Sequence, residues 1–169
     1  MSRFALMMSR FLVTSWVGAA GIFIWLTVLL AISPELDSIA KDKAALIRFP
    51  VIYQFSFYVL VPAYVFHLIS FRAMRACFTR WVIAAFTIPF LVMLGTVDYF
   101  NVYLPIADMI DPPGMVRPMQ FHDYHDASER MGGMMFVLGL VTALMLNWPV
   151  KAGCASPDNS NNEYVPGNG

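Results

Sequence analysis

The sequence predicts an all-α integral membrane protein, built as a bundle of four membrane-spanning helices. Of its 169 residues, 59% are hydrophobic and only 13% are charged, and the mean hydropathy is +0.62. A soluble domain of this length cannot bury so much apolar surface, because small domains have a high surface-to-volume ratio. The charges also cluster, and they leave four apolar intervals of about 20 residues, the length that crosses a bilayer core.

The first apolar interval covers residues 11–32 and is followed by Pro34, which ends the helical pattern. A cleaved signal peptide is the alternative for this stretch, because Arg3 and Arg10 provide a basic leader. The apolar run is longer than the core of a typical signal peptide, so we interpret it as a spanning helix.

Three further helices are predicted at residues 49–70, 81–105 and 128–148. Pro50 is expected in the first turn of the second helix, where the missing N–H costs nothing. The third helix contains Asp98, and a carboxylate at that depth is costly unless it is paired or hydrated. We therefore expect either a functional carboxylate or an interfacial one that reaches water.

The distribution of charge predicts the orientation in the cell membrane. The short segment 71–80 holds three arginines and no acid, whereas 33–48 and 106–130 hold most of the acids. Short basic loops stay cytoplasmic, so we expect both termini and segment 71–80 on the cytoplasmic side. The membrane domain is predicted at 1–150, and the polar tail 151–169 is predicted to be disordered.

Net charge and missing motifs restrict the function classes. The formal net charge is zero, and no basic patch alternates with aromatic residues, so nucleic acid is not an expected partner. No nucleophile motif or phosphate-binding glycine loop occurs, and Cys77 and Cys154 lack metal-ligand spacing. The sequence thus predicts a non-enzymatic protein without a cofactor. Its expected partners are the lipid bilayer and a second copy or another membrane protein, because four helices are few for a lone transporter.

The predicted topology separates the unusual polar residues into two groups. His67 lies near the cytoplasmic end of the second helix, where we expect a snorkelling side chain. It cannot reach the other two histidines, because the bilayer core is about 30 Å thick. The second group lies toward the outer side and consists of Gln54, Ser56, Asp98, Asn101, His125 and Ser128, with Arg48 or Arg130 as the expected counter-ion of Asp98.

The opening of the fourth helix distributes its residues between two faces. Steps of four and three residues place one set on a single face, namely Phe121, His125, Ser128, Gly132 and Gly139. Small residues on this face allow a neighbouring helix to approach closely, and we expect His125 and Ser128 to point into the bundle. The acids of this stretch should point outward or toward the helix start, where the helix dipole favours them; they are Asp123, Asp126 and Glu129.

The two neighbouring histidines leave a second function open. His122 and His125 are three residues apart and could both touch one ion, with Asp98 as a third ligand. A metal- or haem-binding membrane redox protein, with haem or a transition metal as its cofactor, is therefore the alternative. Hydrogen bonding at the interface or inside the bundle is the simpler interpretation of the pair.

Three short motifs, spread over residues 10–148, resemble the family of transmembrane protein 205 and its bacterial relatives. They are similar to the F-P-x-Y-F-x-x-S start of that family's second helix, the T-V-N…P end of its third and the F-x-x-x-H-x-x-S opening of its fourth. The matching residues are Phe49-Pro50 with Ser56, Thr96-Val97-Asp98 with Pro105, and Phe121, His125 and Ser128.

The chain departs from that family at four polar positions. Asp98 and Gly132 stand where the family has Asn, and Arg10 and Gln54 stand where relatives have His. Only part of a shared polar site would then be retained. The family's animal member is associated with drug resistance and export, so the resemblance implies a four-helix membrane protein that acts in small-solute export or membrane assembly.

Overall fold

The computed structural model describes residues 1–74 and 77–149, and the regular structure there is entirely helical. The helices are α1 (Ser2–Ile32), α2 (Ser38–Ile69), α3 (Phe71–Met74), α4 (Phe78–Asp98), α5 (Leu104–Ile110) and α6 (Phe121–Asn147). A π-helical segment, Tyr99–Tyr103, joins α4 to α5 without a break. The predicted all-α four-helix bundle is confirmed.

Four helical units are long and apolar enough to cross a bilayer: Ser2–Ile32, Ser38–Ile69, Phe78–Ile110 and Phe121–Asn147. Short connections make successive units antiparallel. α1 packs against α2 and α6, and α4 packs against the same two helices, so the four units form a closed ring. The chain is a multi-pass membrane protein, and its orientation in the membrane stays a prediction.

Two buried apolar clusters form the core. The first comprises Val13, Ala63, Ala84, Ile88, Ala143 and Leu146. The second comprises Trp16, Leu60, Leu91 and Met135. We name the two ends of the bundle by landmark residues: the Arg48 end holds the last turn of α1 and the first turns of α2 and α6, and the His67 end holds the amino terminus. Both clusters lie between the middle of the bundle and the His67 end.

The second helix is longer than the sequence predicted. α2 begins at Ser38, so most of segment 33–48, which we expected to be a connection, is helical. The carboxylate of Asp37 caps this start by accepting a hydrogen bond of 2.7 Å from the N–H of Ala40. Pro50 consequently lies inside α2, and its expected place in the first turn was wrong. A charge-free interval detects only the part of a helix that lies in lipid, and misses its polar extension.

The other helix limits also differ from the predicted ones. α1 begins at Ser2 and α6 at Phe121, both well before the apolar intervals. The predicted third helix, 81–105, corresponds to the longer helical unit Phe78–Ile110, which contains the π-helical segment. The prediction for the tail 151–169 lies outside the described residues.

His67 was expected to snorkel toward water, and this prediction was wrong. Its side chain is buried, with 0% exposure. The imidazole stacks on the indole of Trp81 at a centroid distance of 5.6 Å, and its Nε2 lies 3.0 Å from the carbonyl oxygen of Trp81. The Trp81 indole N–H in turn donates to the His67 carbonyl at 3.1 Å. The flat ring is held between α2 and α4, so it has no need to reach the surface.

Candidate functional site

Asp98 is a buried carboxylate with one hydrogen-bond partner. Its residue is 4% exposed, and the phenolic O–H of Tyr53 donates to Oδ2 at 2.6 Å. The other carboxylate oxygen, Oδ1, is buried without a partner. A buried polar oxygen that lacks a partner is uncommon, because its desolvation is not compensated. The desolvation of this oxygen is therefore not compensated by any of the described residues.

The π-helical segment places two further phenols around this contact. The ring of Tyr53 lies 5.2 Å from that of Tyr99 and 5.5 Å from that of Tyr103, measured between centroids. A π-helical turn shifts the residues that follow it around the helix axis, and such turns occur frequently at functional sites. The segment directly after Asp98 thus surrounds its hydrogen-bond partner with aromatic rings.

The expected ion pair of Asp98 with an arginine does not occur. No arginine among the described residues forms an ion pair with Asp98, and Arg130 is exposed. The guanidinium of Arg48 instead lies over two aromatic rings, 5.9 Å from the centroid of Phe23 and 5.3 Å from that of Phe49. Its Nε and Nη1 atoms are buried without a hydrogen-bond partner. Because Tyr53 already binds the carboxylate, the two charged groups remain separate.

A cavity of about 110 Å³, here named the inner chamber, lies beside Asp98. All four long helices contribute to its wall, which includes Trp16, Phe23, Tyr53, Ser56, Asp98 and Ser128. The indole N–H of Trp16 donates to the Ser56 hydroxyl at 2.8 Å, and that hydroxyl donates to the carbonyl of Ile52 at 2.7 Å. The second core cluster closes this chamber toward the His67 end.

A larger cavity of about 410 Å³, the mouth chamber, lies at the Arg48 end. Phe49 and Ser128 line both chambers, so the two adjoin each other. Exposed side chains such as Glu129 form part of the mouth chamber's rim. The mouth chamber borders the surface at the Arg48 end, and the inner chamber borders the buried carboxylate.

Most charges of the mouth chamber are satisfied locally. Asp42 is 4% exposed and accepts hydrogen bonds from Arg117 at 2.8 Å and from the N–H of Gly114 at 3.2 Å. The Nε2 of His125 lies 3.2 Å from Glu129, and Lys41 donates to the carbonyl of Ala31 at 2.8 Å. Asp42 is thus paired with Arg117, and Glu129 lies beside His125, so neither acid of this chamber is bound to Arg48.

The structure brings only some of the predicted site residues together. Ser56, Asp98 and Ser128 line the inner chamber, and His125 lies at the mouth. Gln54 lines a separate groove of about 330 Å³ between α2 and α4, and Asn101 is exposed. These two residues thus lie outside the two-chamber cavity.

The two histidines of α6 each face a carboxylate one helical turn later. The side chain of His122 is 80% exposed, and its Nδ1 lies 3.9 Å from Asp126. His125 is half exposed rather than enclosed by the bundle, and its ring stacks on Phe121 at 5.7 Å. Glu129, expected to point outward, lines the mouth chamber with His125. Within residues 1–74 and 77–149, no three His, Cys, Asp or Glu side chains are grouped to hold a metal ion.

Several residues of the cavity had no role in the sequence-based hypothesis. Tyr53 is separated from Asp98 by 45 residues, Trp16 from Ser56 by 40, and Arg117 from its carboxylate by 75. A single sequence contains no signal for such long-range pairs. Only the similar depth of Tyr53 and Asp98 in their helices could have indicated the first contact, and it does not identify the pair.

No family model, curated protein or solved structure matches the chain. The resemblance to the transmembrane protein 205 family, and the roles it implies, therefore stay predictions.

Proposed function

We propose that this membrane protein binds a small solute in the two-chamber cavity and acts in the handling or export of such solutes at the cell membrane. One observation carries the proposal: two adjoining chambers lie between the surface at the Arg48 end and Asp98, whose second carboxylate oxygen has no partner among the described residues. With the predicted topology, the cavity opens on the outer side of the membrane.

The polar lining of the inner chamber supports binding over a purely structural role. A carboxylate and two hydroxyls inside an apolar bundle are costly unless they are hydrogen-bonded. A structural network would be expected to close around these groups, since cavities beside them lose packing contacts. Here Asp98 and Ser128 lie in the wall of a cavity whose lining is otherwise mostly apolar. A chamber of this size with such groups in its wall can hold water or the polar part of a solute.

Export requires more than one copy of this bundle or another membrane protein. The two core clusters fill the bundle between the inner chamber and the His67 end, so a single copy offers no path across the membrane in this conformation. Four helices are also few for a lone transporter. We therefore propose that the chain presents bound solutes to a second copy or to a membrane partner.

Cysteine accessibility tests whether solutes reach the inner chamber. The variant Ser128→Cys, made with Cys77 and Cys154 replaced by serine, places a thiol where the two chambers adjoin. Val137→Cys is the matched control, because Val137 lies on the same helix but is exposed on the lipid-facing surface. Both variants are treated in detergent micelles with a small, charged methanethiosulfonate, so the result does not depend on orientation.

The thiolate is the reactive form, and it forms in water rather than in lipid or detergent tails. We expect the thiol at position 128 to react at least about tenfold faster than the one at position 137. Equal rates, or a slower reaction at position 128, would show that the chamber is closed to solutes and would overturn the proposal. The same reaction in intact cells tests the predicted orientation, because an impermeant reagent reaches only the outer side.

A further inference from the structure

We infer that the mouth chamber is selective for amphiphilic anions, with Arg48 binding the carboxylate or phosphate head of the ligand and the apolar wall holding its chain. The inference rests on the proposed function, because it names the class of solute that enters the same cavity.

The balance of charge in the mouth chamber favours an anion. Its basic side chains are Lys41, Arg48, Arg117 and His125, and its acids are Asp42 and Glu129. Arg117 and His125 occupy the two acids, and Lys41 binds a backbone carbonyl. Among the described residues, Arg48 has neither an ion pair nor a hydrogen bond. The chamber therefore lacks a negatively charged group that could pair with Arg48.

The surroundings of Arg48 fit a head group of this kind. Two neighbouring aromatic rings, Phe23 and Phe49, hold the guanidinium by cation–π contact. Such contacts fix the plane of the group but satisfy none of its N–H donors, and Nε and Nη1 are buried without acceptors. The remaining nitrogen, Nη2, is not among the enclosed atoms, so a carboxylate or phosphate in the chamber would meet the guanidinium through a charge-assisted hydrogen bond to Nη2.

The rest of the chamber wall is apolar. Val28 and Ala31 of α1 face Ile106 and Ile110 of α5 across the cavity, which extends about 410 Å³ in total. A small inorganic anion would leave most of this surface in contact with water. An anion with an alkyl chain buries it, and burial of apolar surface is favourable in proportion to the area removed from water.

A head group of this chemistry occurs in free fatty acids and in anionic phospholipids. Isothermal titration calorimetry on the purified full-length protein in a non-ionic detergent separates the two sources. Dodecanoate is compared with dodecanol, which has the same chain without the charge. Dioctanoyl-phosphatidylglycerol is compared with zwitterionic dioctanoyl-phosphatidylcholine, and titration into empty micelles corrects for partitioning.

The variants are Arg48→Gln and, as a control, Arg130→Gln. Arg130 carries the same charge near the same end but is exposed and lines neither chamber. We expect at least one of the two anions to bind about tenfold to a hundredfold more tightly than its uncharged or zwitterionic counterpart, as for a charge-assisted hydrogen bond. Arg48→Gln should remove that preference, and Arg130→Gln should keep it. The anion with the larger preference identifies the source of the head group.

Equal binding of each anion and its counterpart, or an unchanged preference in Arg48→Gln, would overturn the inference. Neither result would affect the labelling of Ser128→Cys, so a failure of anion selectivity is distinguishable from a failure of solute entry. Should Arg48→Gln not fold, Arg48→Lys keeps the charge but lacks the planar donor set. It should lose several-fold in anion affinity, and wild-type affinity for both anions would contradict the assignment of Arg48.

Discussion

Substitution of Tyr53 by phenylalanine tests the contact that holds the buried carboxylate. The change removes one oxygen and keeps the aromatic ring among its neighbours Tyr99 and Tyr103. It also removes the hydrogen bond of 2.6 Å to Oδ2 of Asp98. Since Oδ1 already lacks a partner, the carboxylate is then left without any hydrogen bond from the described residues.

The expected loss of stability follows from two known ranges for the free energy that a hydrogen bond contributes. Hydrogen bonds to charged groups contribute about 1.5–3 kcal/mol in soluble proteins. Hydrogen bonds between membrane helices average about 0.6 kcal/mol and reach about 1.7 kcal/mol. The short distance and the 4% exposure of Asp98 place this bond at the upper end of the second range. We therefore expect Tyr53→Phe to lower the free energy of unfolding by about 1.5 kcal/mol.

The measurement is reversible unfolding in mixed micelles, combined with a double-mutant cycle. Tyr58→Phe serves as the control, because Tyr58 lies on the same helix with 73% exposure and should change stability by less than about 0.5 kcal/mol. In an Asp98→Ala background this acceptor is missing, so Tyr53→Phe should have a clearly smaller effect. If Tyr53→Phe has the same effect with and without the carboxylate, the two side chains do not interact and the reasoning fails.

Two further perturbations test the packing of the bundle and of its mouth. A methyl group at Gly139 would collide with the ring of Trp16, so Gly139→Ala should lower the free energy of unfolding by about 1–3 kcal/mol. Gly133→Ala, whose added methyl meets open space, should not, and equal effects would contradict the close approach of α1 and α6. Asp42→Asn weakens the ion pair with the half-exposed Arg117 and should destabilise the protein by about 1–2 kcal/mol. Asp42→Asn should also speed proteolysis in the connection 111–120. An unchanged cleavage rate would show that the contact between Asp42 and Arg117 does not hold this connection in place.

The sequence was sufficient to predict the architecture, because the relevant signal is local. Each spanning helix requires a long apolar interval, and all charges except that of Asp98 lie between those intervals or at their ends. The helix limits were predicted less well, because polar helical turns outside lipid lack that signal. The early start of α2 depends on the cap at Asp37 and on the contact between Asp42 and Arg117, which are distant in sequence.

The sequence predicted how deep in the membrane the candidate site lies, but not which of its residues contact each other. Asp98 was identified because a carboxylate is rare within an apolar interval, and Ser128 because of its helical spacing. Which group meets the carboxylate depends on the rotation of α2 against α4, which the chain's local pattern does not determine. Tyr53 meets it, and the two arginines that charge alone suggested do not. His67 shows the same limit, since stacking on Trp81 overrides its nearness to the helix end.

The most direct test of the solute-binding cavity is ligand protection of the thiol in Ser128→Cys. The rate of modification is measured with and without dodecanoate and dioctanoyl-phosphatidylglycerol, each at about ten times its dissociation constant. At that concentration about nine-tenths of the protein is occupied, so the bound ligand should slow modification about tenfold. Dodecanol at the same concentration is the control for chain partitioning. A rate unchanged by both anions, in samples where calorimetry shows binding, would place the ligand elsewhere and contradict the account.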